Sequence, residues 1–291
     1  MTASAARLFD IHLESDLRPD DDLRNLAWFG VTDALVCLHD PGPAPASPSS
    51  AGPAGGSGSG GGGGSGAGSG VAVHPAAERL LRLVEREPPR LRAAGIRAWL
   101  APGVPPGFAE TPGVAAALDL LPELLRREGV VAVGGIGPGT GSPREERALA
   151  LQLRLAAAHD LPALVCLPRH DRPAALRRAL AVAAAAGLPP ERLCFSHANL
   201  PALREARRRG THAALGIHPA DFEPEAAARL VARHGADRLC LGSMLGVGPG
   251  DVLALPRIGR ALARAAVPAD AAARALFANA VTFLGLDERA A

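Results

Sequence analysis

The stretch GVVAVGGIG at residues 129–137, followed by SPRE at residues 142–145, contains the unit from which this fold is built. Its first part is short and apolar on both faces, as is typical of a buried parallel strand. Its second part is a capping box with proline at the first helical position, which indicates that a helix begins there. The stretch therefore predicts one strand followed directly by one helix.

The same strand–helix unit recurs along the chain. The predicted strands are Leu8–Glu14, Asp33–Asp40, Ile96–Val104, Val130–Gly137, Ala163–Pro168, Leu193–Asn199, His212–Pro219 and Arg238–Met244. Glycines that can end a helix stand just before five strands: Gly95, Gly129, Gly187, Gly210 and Gly235. Eight such units predict an α/β fold, a closed (β/α)8 TIM barrel. A doubly wound open sheet is the alternative, but no dinucleotide fingerprint follows the first strand.

The chain of 291 residues suits a single barrel domain, residues 1–291. Residues 41–70 break the pattern, since they consist entirely of Pro, Ala, Ser and Gly. Such a composition cannot bury a core and predicts a flexible insertion. It leaves the carboxyl end of the second strand, on the face where barrel active sites lie.

Composition excludes several chemistries. The sequence contains no lysine, so neither a lysine Schiff base nor a carboxylated lysine bridging two metals is available. The formal net charge of +2 gives no bulk field for nucleic acid. None of the four cysteines forms a CxxC pair, so a disulfide framework is not expected. The expected location is therefore the reducing cytoplasm. No apolar run is long enough to cross a membrane.

Polar side chains gather at the carboxyl ends of the predicted strands, which converge on one site in a barrel. The candidates are Asp10, His12, Glu14, His39, Cys166, His197, His218 and Ser243. Imidazole and thiolate are the ligands that a zinc-like ion prefers. Strict alternation along the first strand would place Asp10, His12 and Glu14 on one side, facing the interior.

Simpler roles stay open for some of these residues. Cys166 lies in an apolar run and could be a small buried residue. His39, beside Asp40, could be part of a surface loop, and His218, before Pro219, could only terminate its strand. His12 and His197 lie inside strand patterns where a site is expected.

Several segments resemble the TatD-related branch of the amidohydrolase superfamily, over nearly the whole chain except residues 41–90. They are Phe9–His12 with Arg18 and Asp20–Asp22, Leu120–Pro122 with Glu128–Gly134, His159–Val165, Pro190–Arg192 and Asn279. The resemblance implies a divalent-metal hydrolase, often acting on phosphodiesters, with one or two metal ions at the barrel mouth. Its pattern is HxH on strand one, Glu on strand four, His on strands five and six, and Asp after strand eight.

This chain matches that pattern only in part. His12 and His197 fit, whereas Glu14 and Cys166 stand where histidines are expected. Gly135 and Gly246 replace the two carboxylates. His12, Glu14, Cys166 and His197 could still hold one zinc-like divalent ion, although four protein ligands would make a closed, structural type of site.

Three functions follow as expectations. The first is a catalytically weak or non-catalytic barrel, kept for binding or for a protein assembly. The second is a working mononuclear hydrolase of a small-molecule ester, amide or phosphoester, in which Glu14 or Asp10 is the base and His39 or His218 replaces lost ligands. A nucleic-acid-binding module is the third, and it rests only on the basic run at residues 204–209.

Overall fold

The computed structural model describes residues 7–41, 75–246 and 250–287. Within them lie all eight predicted strands. Their bounds are β1 Leu8–Leu13, β2 Val31–Val36, β3 Arg97–Leu100, β4 Val133–Ile136, β5 Ala163–Cys166, β6 Leu193–Ser196, β7 His212–Gly216 and β8 Leu239–Gly242. Residues 42–70 of the predicted insertion lie outside the described residues.

Helices follow the strands as the alternation predicts. They are α1 Asp20–Trp28, α2 Pro75–Glu85, α3 Glu87–Ala94, α4 Pro106–Ala109, α5 Val114–Leu124, α6 Pro143–Ala158, α7 Arg172–Ala185, α8 Leu200–Arg209, α9 Pro224–His234, α10 Ala254–Arg264, α11 Ala269–Ala273 and α12 Asn279–Leu284. The predicted capping box at the start of α6 is confirmed. Ser142 Oγ accepts from the Glu145 amide at 3.2 Å, and Glu145 Oε2 accepts from the Ser142 amide at 2.9 Å.

The strands are parallel and run in sequence order around a barrel. β1, β2 and β3 pair with one another, and β4 to β8 form a second paired set. At one seam, between β3 and β4, the Leu100 amide donates to the Gly129 carbonyl at 2.8 Å and the Val131 amide donates to the Leu100 carbonyl at 3.0 Å. At the other seam, Met244 donates to His12 at 3.2 Å and Glu14 donates to Leu245 at 2.9 Å. Among the described residues, these contacts and the parallel bridges beside them join the two sets into a closed barrel, as predicted.

Two apolar layers hold the barrel together. The outer layer lies between the strands and the surrounding helices. The inner layer fills the barrel with side chains such as Phe9, Ile11 and Cys194, and it continues into Phe283 and Leu284 of α12. The last helix therefore covers the amino-terminal end of the barrel. The four cysteines are free, and among the described residues no helix combines the length and apolarity needed to cross a bilayer.

His212, at the start of β7, couples the stability of this end of the barrel to pH. Its ring packs 5.3 Å from that of Phe283, and its Nδ1 has no hydrogen-bond partner. Burial, reinforced by nearby Arg238, lowers the pKa of His212 to about 4. In the unfolded chain the pKa returns to about 6.5, so between pH 6.5 and pH 4 the unfolded state binds the extra proton. Acid therefore destabilises the fold through this residue.

We predict that His212→Gln flattens this acid sensitivity. The loss of unfolding free energy between pH 7 and pH 4.5, measured by denaturant titration, should be smaller than in the wild type by about 2 kcal/mol. His170→Gln, at an exposed histidine, is the control and should leave the pH dependence as it is. Equal losses in the His212 variant and the wild type would contradict the prediction.

Candidate metal centre

Three donor side chains meet at the carboxyl end of the barrel. His12 is on β1, Cys166 ends β5, and His197 follows β6. One ligand atom from each lies within 4.8 Å of those from the other two, and the two imidazole rings have centroids 5.5 Å apart. The structure thus brings together three of the four ligands predicted from the sequence.

His12 provides the sharpest test of whether this group fits a metal ion. The residue is only 1% exposed, yet neither Nδ1 nor Nε2 has a hydrogen-bond partner. Leaving a buried polar group unsatisfied costs about 1–3 kcal/mol. A cation held among the three donors would satisfy one of these nitrogens, since zinc accepts two imidazoles and a thiolate at about 2.0–2.3 Å.

Cys166 also fits a metal ligand better than a free nucleophile. Burial raises the pKa of its thiol to about 12, against a smaller opposing effect of the Ser196 hydroxyl at 3.3 Å. A thiol with such a pKa is protonated at neutral pH and unreactive. Only a cation beside it would deprotonate it, and a divalent metal ion does so.

Glu14 lies beside the three-donor group rather than in it. Its Oε1 is 3.4 Å from His12 Nε2, and its Oε2 is 2.5 Å from His39 Nδ1. Burial acts to raise the pKa of Glu14, but His12 and His39 lower it to about 2. In turn, burial acts to lower the pKa of His39, but the bond to Glu14 raises it above its ordinary value. Glu14 and His39 thus form a hydrogen-bonded pair at the edge of the site.

Asp221, in the loop after β7, orients His197. Its Oδ2 is 2.6 Å from His197 Nδ1, and its other oxygen pairs with Arg172. Burial acts to raise the pKa of Asp221, but His197 and Arg172 lower it to about 2. A carboxylate on Nδ1 leaves Nε2 for a metal, the usual arrangement around ligating histidines. His197 also has a left-handed backbone with φ of 56°, a strained conformation of a kind found at functional sites.

Asp221 was not predicted as a site residue from the sequence. Its position three residues after His218, in a loop at the carboxyl end of a strand, was the available signal. Space for it comes from Gly216, where a Cβ atom would lie 2.6 Å from Asp221 Oδ2.

Asp10 does not share the cavity, and the expected alternation along β1 fails there. Phe9 and Ile11 belong to the inner apolar layer. Asp10 instead pairs in register with Ala34, which belongs to the outer layer. Its carboxylate accepts from the amide and the hydroxyl of Ser243. A register shift between Asp10 and Leu13 then turns His12 back towards the site.

His218 is in the cavity wall but outside the donor group. Its Nδ1 accepts from the amide of Ala220 at 3.1 Å, and burial lowers its pKa. The cavity itself has a volume of about 460 Å³. Its lining includes His12, Glu14, His39, Cys166, His197 and His218.

The two glycines that replace the expected carboxylates differ in their surroundings. Gly135 has φ of 72°, a left-handed conformation that L side chains rarely adopt, and a Cβ atom there would lie 3.2 Å from the Leu38 carbonyl. Gly246 has no such backbone conformation, but a Cβ atom there would overlap Glu14 Oε2.

Comparison with known proteins gives one curated relative and several solved structures of the same fold. No protein-family model matches the chain. An uncharacterised metal-dependent hydrolase of Methanocaldococcus jannaschii is 25% identical over 252 residues, covering 86% of this chain and 88% of the relative. A TatD-like protein from Archaeoglobus fulgidus has a TM-score of 0.71 at 24% identity, covering 96% of this chain and 100% of that chain. The phosphotriesterase homology protein of Escherichia coli, with phosphate in its active site, has a TM-score of 0.64 at 14% identity, covering 97% and 100%.

The chain is therefore similar in sequence to a metal-dependent hydrolase and in fold to a TatD-like protein, so the resemblance predicted from the sequence is confirmed.

We predict that Asp221→Asn weakens metal binding. His197 loses its anionic partner, and loss of such a partner typically lowers metal affinity about 10–100-fold. Competition titration of zinc against a chelator measures this. Asp21→Asn, which removes an exposed carboxylate paired with Arg24 on the surface, is the matched control and should bind zinc as the wild type does. Unchanged affinity in the folded Asp221 variant would remove His197 from the ligand set.

Proposed function

We propose that this protein is a mononuclear metal-dependent hydrolase whose ligands are His12, Cys166 and His197. The observation that carries the proposal is the buried His12 ring, which has no hydrogen bond at either nitrogen and lies beside two further donors. Three protein ligands leave one coordination position for water, as catalytic zinc sites require. The pairing of Glu14 with His39 supports this three-ligand arrangement over a closed set of four.

A bound divalent ion would lower the pKa of a water molecule and polarise the bond to be cleaved. Orienting the ligands and transferring protons are the roles of side chains in this protein. Asp221 holds the proton of His197 on Nδ1 and keeps Nε2 as the donor. The tautomer follows from the hydrogen bond, since Asp221 is ionised.

Glu14 and His39 divide the acid–base role between them. A carboxylate with a pKa of about 2 is ionised at neutral pH but is a weak base. Its role is to accept a hydrogen bond from the attacking water and orient it. The bond to Glu14 raises the pKa of His39, which favours the protonated imidazole and suits it to protonate the leaving group. Asp10, buried against Ser243 away from the cavity, takes no part in this scheme.

The substrate is an ester, amide or phosphoester small enough for a cavity of about 460 Å³. Phosphoesters are the first class to test, since the Escherichia coli relative in fold holds phosphate in its active site. A two-metal mechanism is not part of the proposal. Such a mechanism uses carboxylates to hold two ions about 3.5–4 Å apart, and positions 135 and 246 offer none.

A non-catalytic barrel is the second candidate, favoured by the same two glycines. On that alternative a metal ion at His12, Cys166 and His197 would have only a structural role, or would be absent. In the part of the chain that the structure describes, no feature specifically favours a protein assembly or nucleic-acid binding.

We predict one zinc ion per chain, bound by the three donors. Elemental analysis after zinc loading should give a stoichiometry near one, and His12→Ala, Cys166→Ser and His197→Ala should each lower it sharply. Cys240→Ser is the matched control, since Cys240 is fully buried in the barrel but is not part of the group. Hydrolysis of a phosphodiester and carboxyl-ester panel should be lost with the metal and return with zinc. Full zinc occupancy without any turnover would favour the non-catalytic barrel.

We predict that Glu14→Gln retains zinc but lowers turnover about 10²–10⁴-fold. Removing the negative charge also removes the largest influence that raises the pKa of His39. The alkaline limb of the residual activity should therefore move to lower pH, because the imidazole loses its proton earlier. His39→Asn should slow substrates with poor leaving groups more than activated nitrophenyl esters. An unshifted alkaline limb in the Glu14 variant would rule out His39 as the acid.

A further inference from the structure

Gly246 lies directly against the carboxylate of Glu14. A Cβ atom at position 246 would overlap Glu14 Oε2 and would lie 2.9 Å from its Cδ and 3.1 Å from its Cβ. The φ angle of Gly246 lies outside the left-handed region, so this angle does not itself require glycine. What requires glycine here is the volume already filled by Glu14.

Neither partner can move aside easily. The segment after β8 is tied down at successive positions: Asp10 accepts from the Ser243 amide at 2.9 Å, and Leu245 accepts from the Glu14 amide at 2.9 Å. The carbonyl of Gly246 accepts from Arg18 at 3.0 Å. Glu14 is held in turn by His39. A side chain added at position 246 would therefore produce strain rather than a small adjustment.

We infer that Gly246 is a positioning residue for Glu14, and that the site accommodates one carboxylate, supplied either from β1 or from the segment after β8. The resemblance described above predicts an aspartate at position 246. Glu14 fills the space that a side chain at this position would enter. The functional half of this inference rests on the proposed hydrolase activity.

A double-mutant cycle on the full chain, with and without zinc, tests the competition for space. Gly246→Ala should lower the melting temperature by roughly 3–10 °C, the effect of overpacking a dense site. Combining it with Glu14→Ala should recover at least half of that loss. Gly259→Ala in α10 is the control, since its nearest new contact is 3.9 Å away, and it should melt no lower than the wild type.

A second cycle tests the exchange of the carboxylate. Glu14→Ala should lose turnover, Gly246→Asp alone should be the least stable variant, and Glu14→Ala/Gly246→Asp should regain both stability and turnover.

The stability measurements test the inference even if the wild type hydrolyses nothing. An inactive wild type would contradict only the proposed function. Should Gly246→Ala fail to fold, a folded Glu14→Ala/Gly246→Ala protein supports the inference. A Gly246→Ala protein that melts with the wild type, or a double variant whose losses simply add, would overturn it. In an active wild type, a stable Glu14→Ala/Gly246→Asp variant without turnover would overturn its functional half.

Discussion

The pairing of β1 with the segment that follows β8 is the contact on which the site depends. It closes the barrel through the bonds between Met244 and His12 and between Glu14 and Leu245. The same seam aligns His12 with the donors from β5 and β6, and it presses Gly246 against Glu14. Closure of the barrel and the geometry of the site therefore depend on the same residues.

Much of the fold was predictable because its signals are local. Apolar runs, helix-ending glycines and the Ser142 capping box each depend on a few neighbouring residues, and they predicted eight strands close to where they occur. The donor set was partly predictable for a related reason. In a parallel barrel the carboxyl ends of the strands converge, so His12, Cys166 and His197 could be expected together.

The rest of the site depends on geometry that no short pattern encodes. Alternation misplaced Asp10 because β1 shifts register between Asp10 and Leu13. Asp221 was missed because it reaches His197 from a loop whose path the sequence does not specify. The pairing of Glu14 with His39 depends on the relative position of two strands. In the sequence, Gly135 and Gly246 both stand where a carboxylate is expected. In the structure they differ: Gly135 has a backbone conformation that disfavours side chains, whereas Gly246 lacks the space for one.

The packing of α12 against the barrel interior affects how ligands enter and leave the cavity. Phe283 and Leu284 continue the inner apolar layer, so within the described residues the amino-terminal end offers no second way in or out. Within the described residues, the mouth is the route by which a molecule would both enter and leave the cavity. A reaction product would then obstruct the next arrival until it had departed, so its inhibition would be competitive, and the rate of escape would set an upper bound on the cycle.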